Sequence, residues 1–250
     1  MIKQSDFITS NKSNWCPRCS NFSIRAALIK AFSELGLKPY EIAMIFDIGC
    51  AGNACNLYNT YGFHGLHGRT VPLAVGAKLA NDKLTVIGIA GDGGAYGEGL
   101  NHFIEAARSN YNITLIVSNN RLYSLTTGQA SPTSERGTKT KSTPDGVNKT
   151  GLNPLLIALS AGASFVARGY ADEVEHLSEI FKKAINHKGF SLIDILQPCI
   201  TLDKKNTREW YKERIYQLDN NWPVKDKNKA IIKVQEWRDK IPIGIFFEEK

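Results

Sequence analysis

The sequence predicts a doubly wound α/β fold: a parallel β-sheet with helices on both faces, plus a C-terminal arm. Three observations predict it. Short, almost continuously apolar runs recur through the first 200 residues, as expected of strands covered on both faces. Stretches with helical spacing of apolar residues alternate with these runs, which is the pattern of βαβ units. The chemically interesting residues fall directly after the strand runs, at what would be one edge of the sheet, where open parallel sheets bind their ligands.

Taken in order, residues 1–15 are polar and lack periodicity. Cys16-Pro17-Arg18-Cys19 comes next. A helix is expected over residues 21–35, with Phe22, Ala26, Ile29 and Phe32 near helical spacing and Gly36 as the stop. Residues 42–48 (IAMIFDI) read as a strand, 69–81 as a helix, 84–90 (LTVIGIA) as a strand, 101–109 as a helix and 113–118 (ITLIVS) as a strand. Residues 121–151 are rich in Ser, Thr, Gly and Lys, and a loop of that length is usually functional or mobile. A helix near 154–161, a strand near 164–168, a helix over 172–186 and a strand over 191–196 follow. Asp172, Glu173 and Glu175 suit the start of their helix through its dipole. Residues 201–250 differ in character, with twelve basic and nine acidic residues, three tryptophans (Trp210, Trp222, Trp237) and an apolar segment at 241–247. The expected organisation is one α/β domain over 1–200 and an extension over 201–250, packed on that domain or on a partner subunit.

Composition narrows the class. The chain has 250 residues, 42% hydrophobic and 22% charged, with 21 glycines and 9 prolines, which excludes disordered, collagen-like and solenoid chains. No apolar run approaches the roughly 18–20 residues of a membrane span, and the opening residues carry no apolar signal core. A cytoplasmic protein with no membrane association is expected. The net charge of +7 suits an anionic partner such as a phosphorylated cofactor or an acidic electron carrier. Nucleic acid is disfavoured, because the basic residues are scattered and only Lys139 and Lys141 cluster. Five cysteines (Cys16, Cys19, Cys50, Cys55, Cys199) in a reducing compartment point to metal ligation, redox chemistry or burial, and Cys55 reads as buried.

The first strand run leads into Gly49-Cys50-Ala51-Gly52, the second into Gly91-Asp92-Gly93-Gly94, the third into Asn119-Asn120 and the last into Gln197-Pro198-Cys199. Asp92 and Asn120 lie one βαβ step apart, so two hard oxygen donors project into one crevice. Magnesium favours such donors together with substrate phosphates. The glycines let the backbone approach a phosphate, and the helix start downstream adds a positive field. A plain strand-to-helix turn with a capping Asp explains Gly-Asp-Gly alone, but not its pairing with Asn-Asn at the next strand end. A dinucleotide fingerprint fits worse, because Tyr96 stands where a third glycine would be needed. His64 and His67 sit in a Gly-rich loop before a helix and face the same crevice. His102, His176 and His187 read as surface or packing residues.

Gly91-Asp92-Gly93 with Asn119-Asn120 resembles the cofactor motif of thiamine diphosphate enzymes. More narrowly, the chain resembles the β subunit of 2-oxoacid:ferredoxin oxidoreductases, on WCPRC, IGCAG, HGLHGR, GDGG, NNRLYSLTTGQASPT, QPC and DKIPIGIFF, between residue 15 and about 247. The resemblance implies a diphosphate-binding domain in which Asp92, Asn120 and the Leu122 carbonyl hold Mg²⁺. It implies that Gly49, Cys50, Ala51, His67, Gly68, Arg69, Gly91, Gly93, Gly94, Ser124 and Leu125 bind thiamine diphosphate. It further implies a [4Fe–4S] cluster on Cys16, Cys19, Cys50 and Cys199, a 2-oxoacid (2-oxoglutarate or pyruvate) and CoA as substrates, and ferredoxin as electron acceptor. The glutamate that activates the cofactor is expected from an α (or α/γ) subunit, so no catalytic residue is assigned to this chain. A Cys₄ zinc site would use the same four thiolates. A cluster-free decarboxylase subunit and a non-enzymatic zinc-bearing assembly subunit are the alternatives. The chain departs from the family pattern at Cys16-Pro17-Arg18-Cys19-Ser20, where the family usually reads Cys-Pro-Gly-Cys-Gly, and at Gly94, where members often carry an acid. Thr127 stands where some relatives carry Lys or Gly.

Overall fold

A computed structural model describes residues 2–249. Ten strands run in chain order: β1 (Ile42–Phe46), β2 (Tyr61–His64), β3 (Thr85–Gly91), β4 (Thr114–Asn119), β5 (Leu122–Tyr123), β6 (Gln129–Ala130), β7 (Phe165–Tyr170), β8 (Ser191–Leu196), β9 (Ile215–Gln217) and β10 (Ile241–Glu248). The helices are α1 (Asn21–Glu34), α2 (Thr70–Ala80), α3 (Leu100–Ser109), α4 (Pro154–Ala161), α5 (Val174–Asn186), α6 (Arg208–Lys212) and α7 (Lys227–Lys233). Eight strands form one sheet in the order β2-β1-β3-β4-β8-β7-β10-β9, and β5 pairs with β6 as a small separate hairpin. Every pairing in the large sheet is parallel except β7 with β10.

Alternation along the strands sends side chains into two cores. Met44, Phe46, Ile87, Ile89, Ile116 and Ile193 pack on one face beneath α1 and α5. Ala43, Ile45, Val86, Leu115, Val117 and Leu192 pack on the other, beneath α2, α3, α4 and α7. Strands buried on both faces explain the unbroken apolar runs.

The five expected strands and five expected helices are present within two residues at each end. Residues 201–250 go further than an arm laid against the outside. β10 enters the sheet beside β7, with Ile241, Ile243 and Phe246 fully buried, and β9 extends it by one more strand. Among the described residues, no helix is long and apolar enough to cross a membrane.

A cofactor cleft beside four cysteines

β1, β3, β4 and β8 release their chains at the same edge of the sheet, as parallel strands must. The loops there line a cleft with about 100 Å³ of internal space, open to solvent on one side. Gly49, Cys50, Ala51, His67, Gly91, Asp92, Gly93, Gly94, Asn120, Leu122, Ser124 and Leu125 all line it. Gly68 and Arg69 do not. The Gly68 amide donates to Asp47 Oδ1 at 2.9 Å, and the Arg69 guanidinium reaches the Glu98 carbonyl at 3.3 Å, so both are committed to the cleft wall.

Asp92 is 1% exposed. Burial pushes its carboxyl up to about 6, while the hydroxyls of Ser131 and Thr133 pull the other way. Both hydroxyls donate to Oδ2, at 2.5 and 2.6 Å, and neither donates to Oδ1. Asn119 and Asn120 point to opposite sides of β4. Asn119 turns inward to the buried Asp194, which also accepts from the Tyr96 hydroxyl. Asn120 faces the cleft, and its Oδ1 accepts from the Leu122 amide at 3.1 Å. Between them and Leu122, Arg121 adopts a left-handed backbone (φ 62°). That conformation is uncommon for a residue with a side chain. It is braced by three contacts. Arg121 Nε donates to the Thr133 carbonyl, Nη1 pairs with Glu135 at 2.8 Å, and the guanidinium stacks 4.3 Å from the Trp237 ring. Trp237 in turn donates to Glu135 at 2.7 Å. Residues 201–250 thus grip the loop that carries Asn120 and Leu122. Thr127, at the tip of the β5–β6 hairpin, also has positive φ (82°), which is the conformation a glycine there would adopt without strain.

Two features suit a diphosphate bound through a divalent cation. The Ser124 hydroxyl lines the cleft, buried and without a hydrogen-bond partner. A Cβ added at Gly91 would meet nothing within 4 Å, so the backbone there is open to a ligand. Asp92, Asn120 and Leu122 supply the oxygen donors that magnesium prefers.

Cys16, Cys19, Cys50 and Cys199 gather at the near end of this cleft. The Trp15 indole donates to the Cys50 carbonyl at 2.7 Å, which docks the first cysteine loop on the end of β1. Gln197 donates to Asn21 at 2.8 Å, which brings the loop after β8 to the start of α1. The Cys50 thiol is pushed up to about 11, first by burial and then by Cys19, Cys199 and Cys16. Burial also raises Cys19, with further contributions from Cys16 and Cys199. Among the described residues, no three His, Cys, Asp or Glu side chains converge closely enough to hold a single metal ion. The Cys55 thiol is raised by burial alone and packs against the α1–α5 core. Arg18 takes a left-handed backbone (φ 65°) at the position where the family usually has glycine. Its carbonyl accepts from Arg208, which pairs with Asp172.

Ser131 and Thr133 lie inside the motif NNRLYSLTTGQASPT, but the sequence assigns them no role. Ser131 and Thr133 reach Asp92 from 39 and 41 positions away, which no local pattern reveals. Ile48, Ser118, Tyr123, Thr126 and Gln197 complete the lining. Asp47 carries a legible signal, since an acid inside the apolar run IAMIFDI must be paired if that strand is buried.

An α/β sheet with an acid-bearing glycine turn and an Asn-Asn turn at adjacent strand ends defines a thiamine diphosphate enzyme. Residues 47–195 match the family described as "Thiamine pyrophosphate enzyme, C-terminal TPP binding domain", and residues 199–250 match the family that describes the C-terminal part of the pyruvate ferredoxin oxidoreductase beta subunit. The chain is 46% identical to the 2-oxoacid:ferredoxin oxidoreductase subunit beta of Saccharolobus solfataricus, over 95% of this chain and 82% of that one. It is 33% identical to the 2-oxoglutarate synthase subunit KorB of Archaeoglobus fulgidus, over 94% and 84%. A solved 2-oxoglutarate:ferredoxin oxidoreductase from Magnetococcus marinus, with 2-oxoglutarate, coenzyme A and succinyl-CoA bound, superposes with a TM-score of 0.97 at 31% identity, covering 100% of this chain and 86% of that one. The chain belongs to the family of 2-oxoacid:ferredoxin oxidoreductase β subunits and is an oxidoreductase subunit.

Proposed function

We propose that this chain is the cofactor-binding β subunit of a cytoplasmic enzyme that oxidatively decarboxylates a 2-oxoacid, 2-oxoglutarate or pyruvate, to CO₂ and an acyl-CoA, with ferredoxin as electron acceptor. One observation carries the reading: Asp92, Asn120, Leu122 and the unpartnered Ser124 hydroxyl share one glycine-walled cleft. Asp92, Asn120 and the Leu122 carbonyl would hold Mg²⁺. Ser124 and the open backbone at Gly91 would receive the diphosphate. When bound, thiamine diphosphate supplies the carbanion chemistry that decarboxylation of a 2-oxoacid needs.

The residues of this chain bind, orient and shield. Tyr123 covers Gly93, where even a Cβ would stand 2.2 Å from the ring. Cys16, Cys19, Cys50 and Cys199 would hold a [4Fe–4S] cluster, and the lining residue Cys50 puts that cluster beside the cofactor. Residues 1–200 would form the cofactor domain, and 201–250 the extension that braces its metal loop. The activating glutamate would come from an α (or α/γ) subunit.

Two measurements test this. Anaerobically purified protein should contain about four iron and four acid-labile sulfide per chain, as the four-cysteine set requires. Zinc without sulfide would instead favour the structural alternative. Asp92→Ala should weaken Mg²⁺-dependent binding of thiamine diphosphate in calorimetry, and an unchanged affinity would remove Asp92 from the metal site.

A further inference from the structure

Asp47 lies just past β1 and is completely buried. Its Oδ1 accepts from the Ile48 amide at 2.8 Å, from the Gly68 amide at 2.9 Å and from His67 Nδ1 at 3.1 Å. Its Oδ2 is buried without a hydrogen-bond partner. A buried carboxylate with one oxygen unsatisfied is costly. If tying down the loop were the only task, a neutral acceptor would do it at lower cost.

The unpartnered oxygen lies directly over Gly94. A Cβ added at Gly94 would stand 1.6 Å from Asp47 Oδ2, 2.6 Å from its Cγ and 3.1 Å from His67 Cε1. A side chain at 94 and the carboxylate at 47 therefore exclude each other. A Cβ at 94 and the Asp47 carboxylate both stand beside the His67 imidazole. This chain has glycine at 94 and the acid at 47.

We propose that Asp47, carried just past the end of β1, is a positioning carboxylate of the cofactor cleft: it holds His67 Nδ1 while Glu98 Oε2 stands 3.6 Å from Nε2, and it sets the orientation of His67 toward the bound cofactor. The proposal rests on the reading of the cleft as a thiamine diphosphate site. Asp47 acts through His67 and does not itself line the cleft.

The test uses the full chain in five forms: wild type, Asp47→Ala, Gly94→Asp, the Asp47→Ala/Gly94→Asp double variant, and Asp47→Asn. The thermal midpoint is measured without cofactor. Thiamine diphosphate affinity with Mg²⁺ is measured by calorimetry on the assembled complex. Gly94→Asp should lower the midpoint, because its Cβ has no room, and each single change to Ala or Asp should cost about tenfold in affinity, the scale of one charge-assisted contact. The double variant should recover most of both losses. A double variant no better than the worse single variant overturns the proposal. Asp47→Asn keeps the shape and the Oδ1 acceptor, so it should fold like wild type while shifting the ¹⁵N resonances of the His67 ring and weakening affinity. Unchanged resonances and affinity in that variant also overturn it. Failure of the wild-type complex to bind thiamine diphosphate would refute the cofactor reading instead, and the cofactor-free midpoints and ring resonances would still decide the role of Asp47.

Discussion

Trp237 offers a direct test of how residues 201–250 support the metal loop. Replacing it with alanine removes the cation–π contact with Arg121, worth about 1 kcal/mol when partly shielded. It also removes the indole donor to Glu135, a hydrogen bond to a charged group worth about 1.5 kcal/mol. Loss of the half-buried ring adds packing energy, so a total cost of about 3 kcal/mol is expected, at the low end for removal of a large aromatic side chain. Trp237→Phe keeps an aromatic face under Arg121 and loses only the donor, so it should cost about half as much. Urea unfolding at constant m measures both changes. Arg121 lies between Asn120 and Leu122, and its left-handed backbone is held in part by this stack. Mg²⁺-dependent affinity for thiamine diphosphate should therefore fall about threefold to tenfold in Trp237→Ala, or roughly 1 kcal/mol. A stability loss below about 1 kcal/mol would refute the clasp. A full stability loss with unchanged affinity would refute its link to the metal loop.

Other outcomes follow from the same structure. The chain purified without partner subunits should show no 2-oxoacid oxidation, and turnover by the single chain would remove the need for a glutamate from outside. Arg18→Gly relieves a left-handed backbone costing about 1–2 kcal/mol but adds chain entropy to the unfolded state, so it should raise stability by about 0.5–1 kcal/mol in chemical denaturation. A loss would mean that the Arg18 side chain contributes packing absent from its backbone contacts. Burial lowers the pKa of His187, whose Nε2 lies 2.7 Å from Ser164 Oγ. The unfolded chain therefore takes up this proton first, and the stability His187 contributes is present above about pH 6.5 and is lost as pH falls through its folded value. His187→Gln should accordingly show a smaller drop in thermal midpoint between pH 7.5 and pH 5 than wild type.

Much of this molecule is legible in the sequence because a doubly covered parallel sheet writes its strands as local apolar runs. β1, β3, β4, β7 and β8 are readable for that reason. β2 is not, because all four of its residues are exposed at the sheet edge, so burial leaves no pattern on them. β10 shows its apolar character, yet its antiparallel place beside β7 is a pairing across about 80 positions. Pro242 also argues locally against a strand inside a sheet. The site divides in the same way. Asp92, Asn120, Cys50 and Cys199 stand just past strand ends and can be placed by counting. Ser131, Thr133 and the Trp237–Arg121–Glu135 contact arrive from distant segments. The buried charges in or just past strands (Asp47, Arg168, Asp194) are signals in their own right, since each has to find a partner or a task.

The antiparallel seat of β10 has a consequence for biosynthesis. β7 is flanked by β8 on one side, and its other flank stays open until β10 leaves the ribosome, last of the ten described strands. During that interval an unpaired, apolar strand edge is displayed by a chain whose other strands are already made, which is the condition that favours mispairing with neighbouring chains. Pairings this distant in sequence also form slowly. Yield in the cell should therefore respond to chaperone supply and to the rate of translation through the codons for residues 201–250 more than to any change in the cofactor cleft.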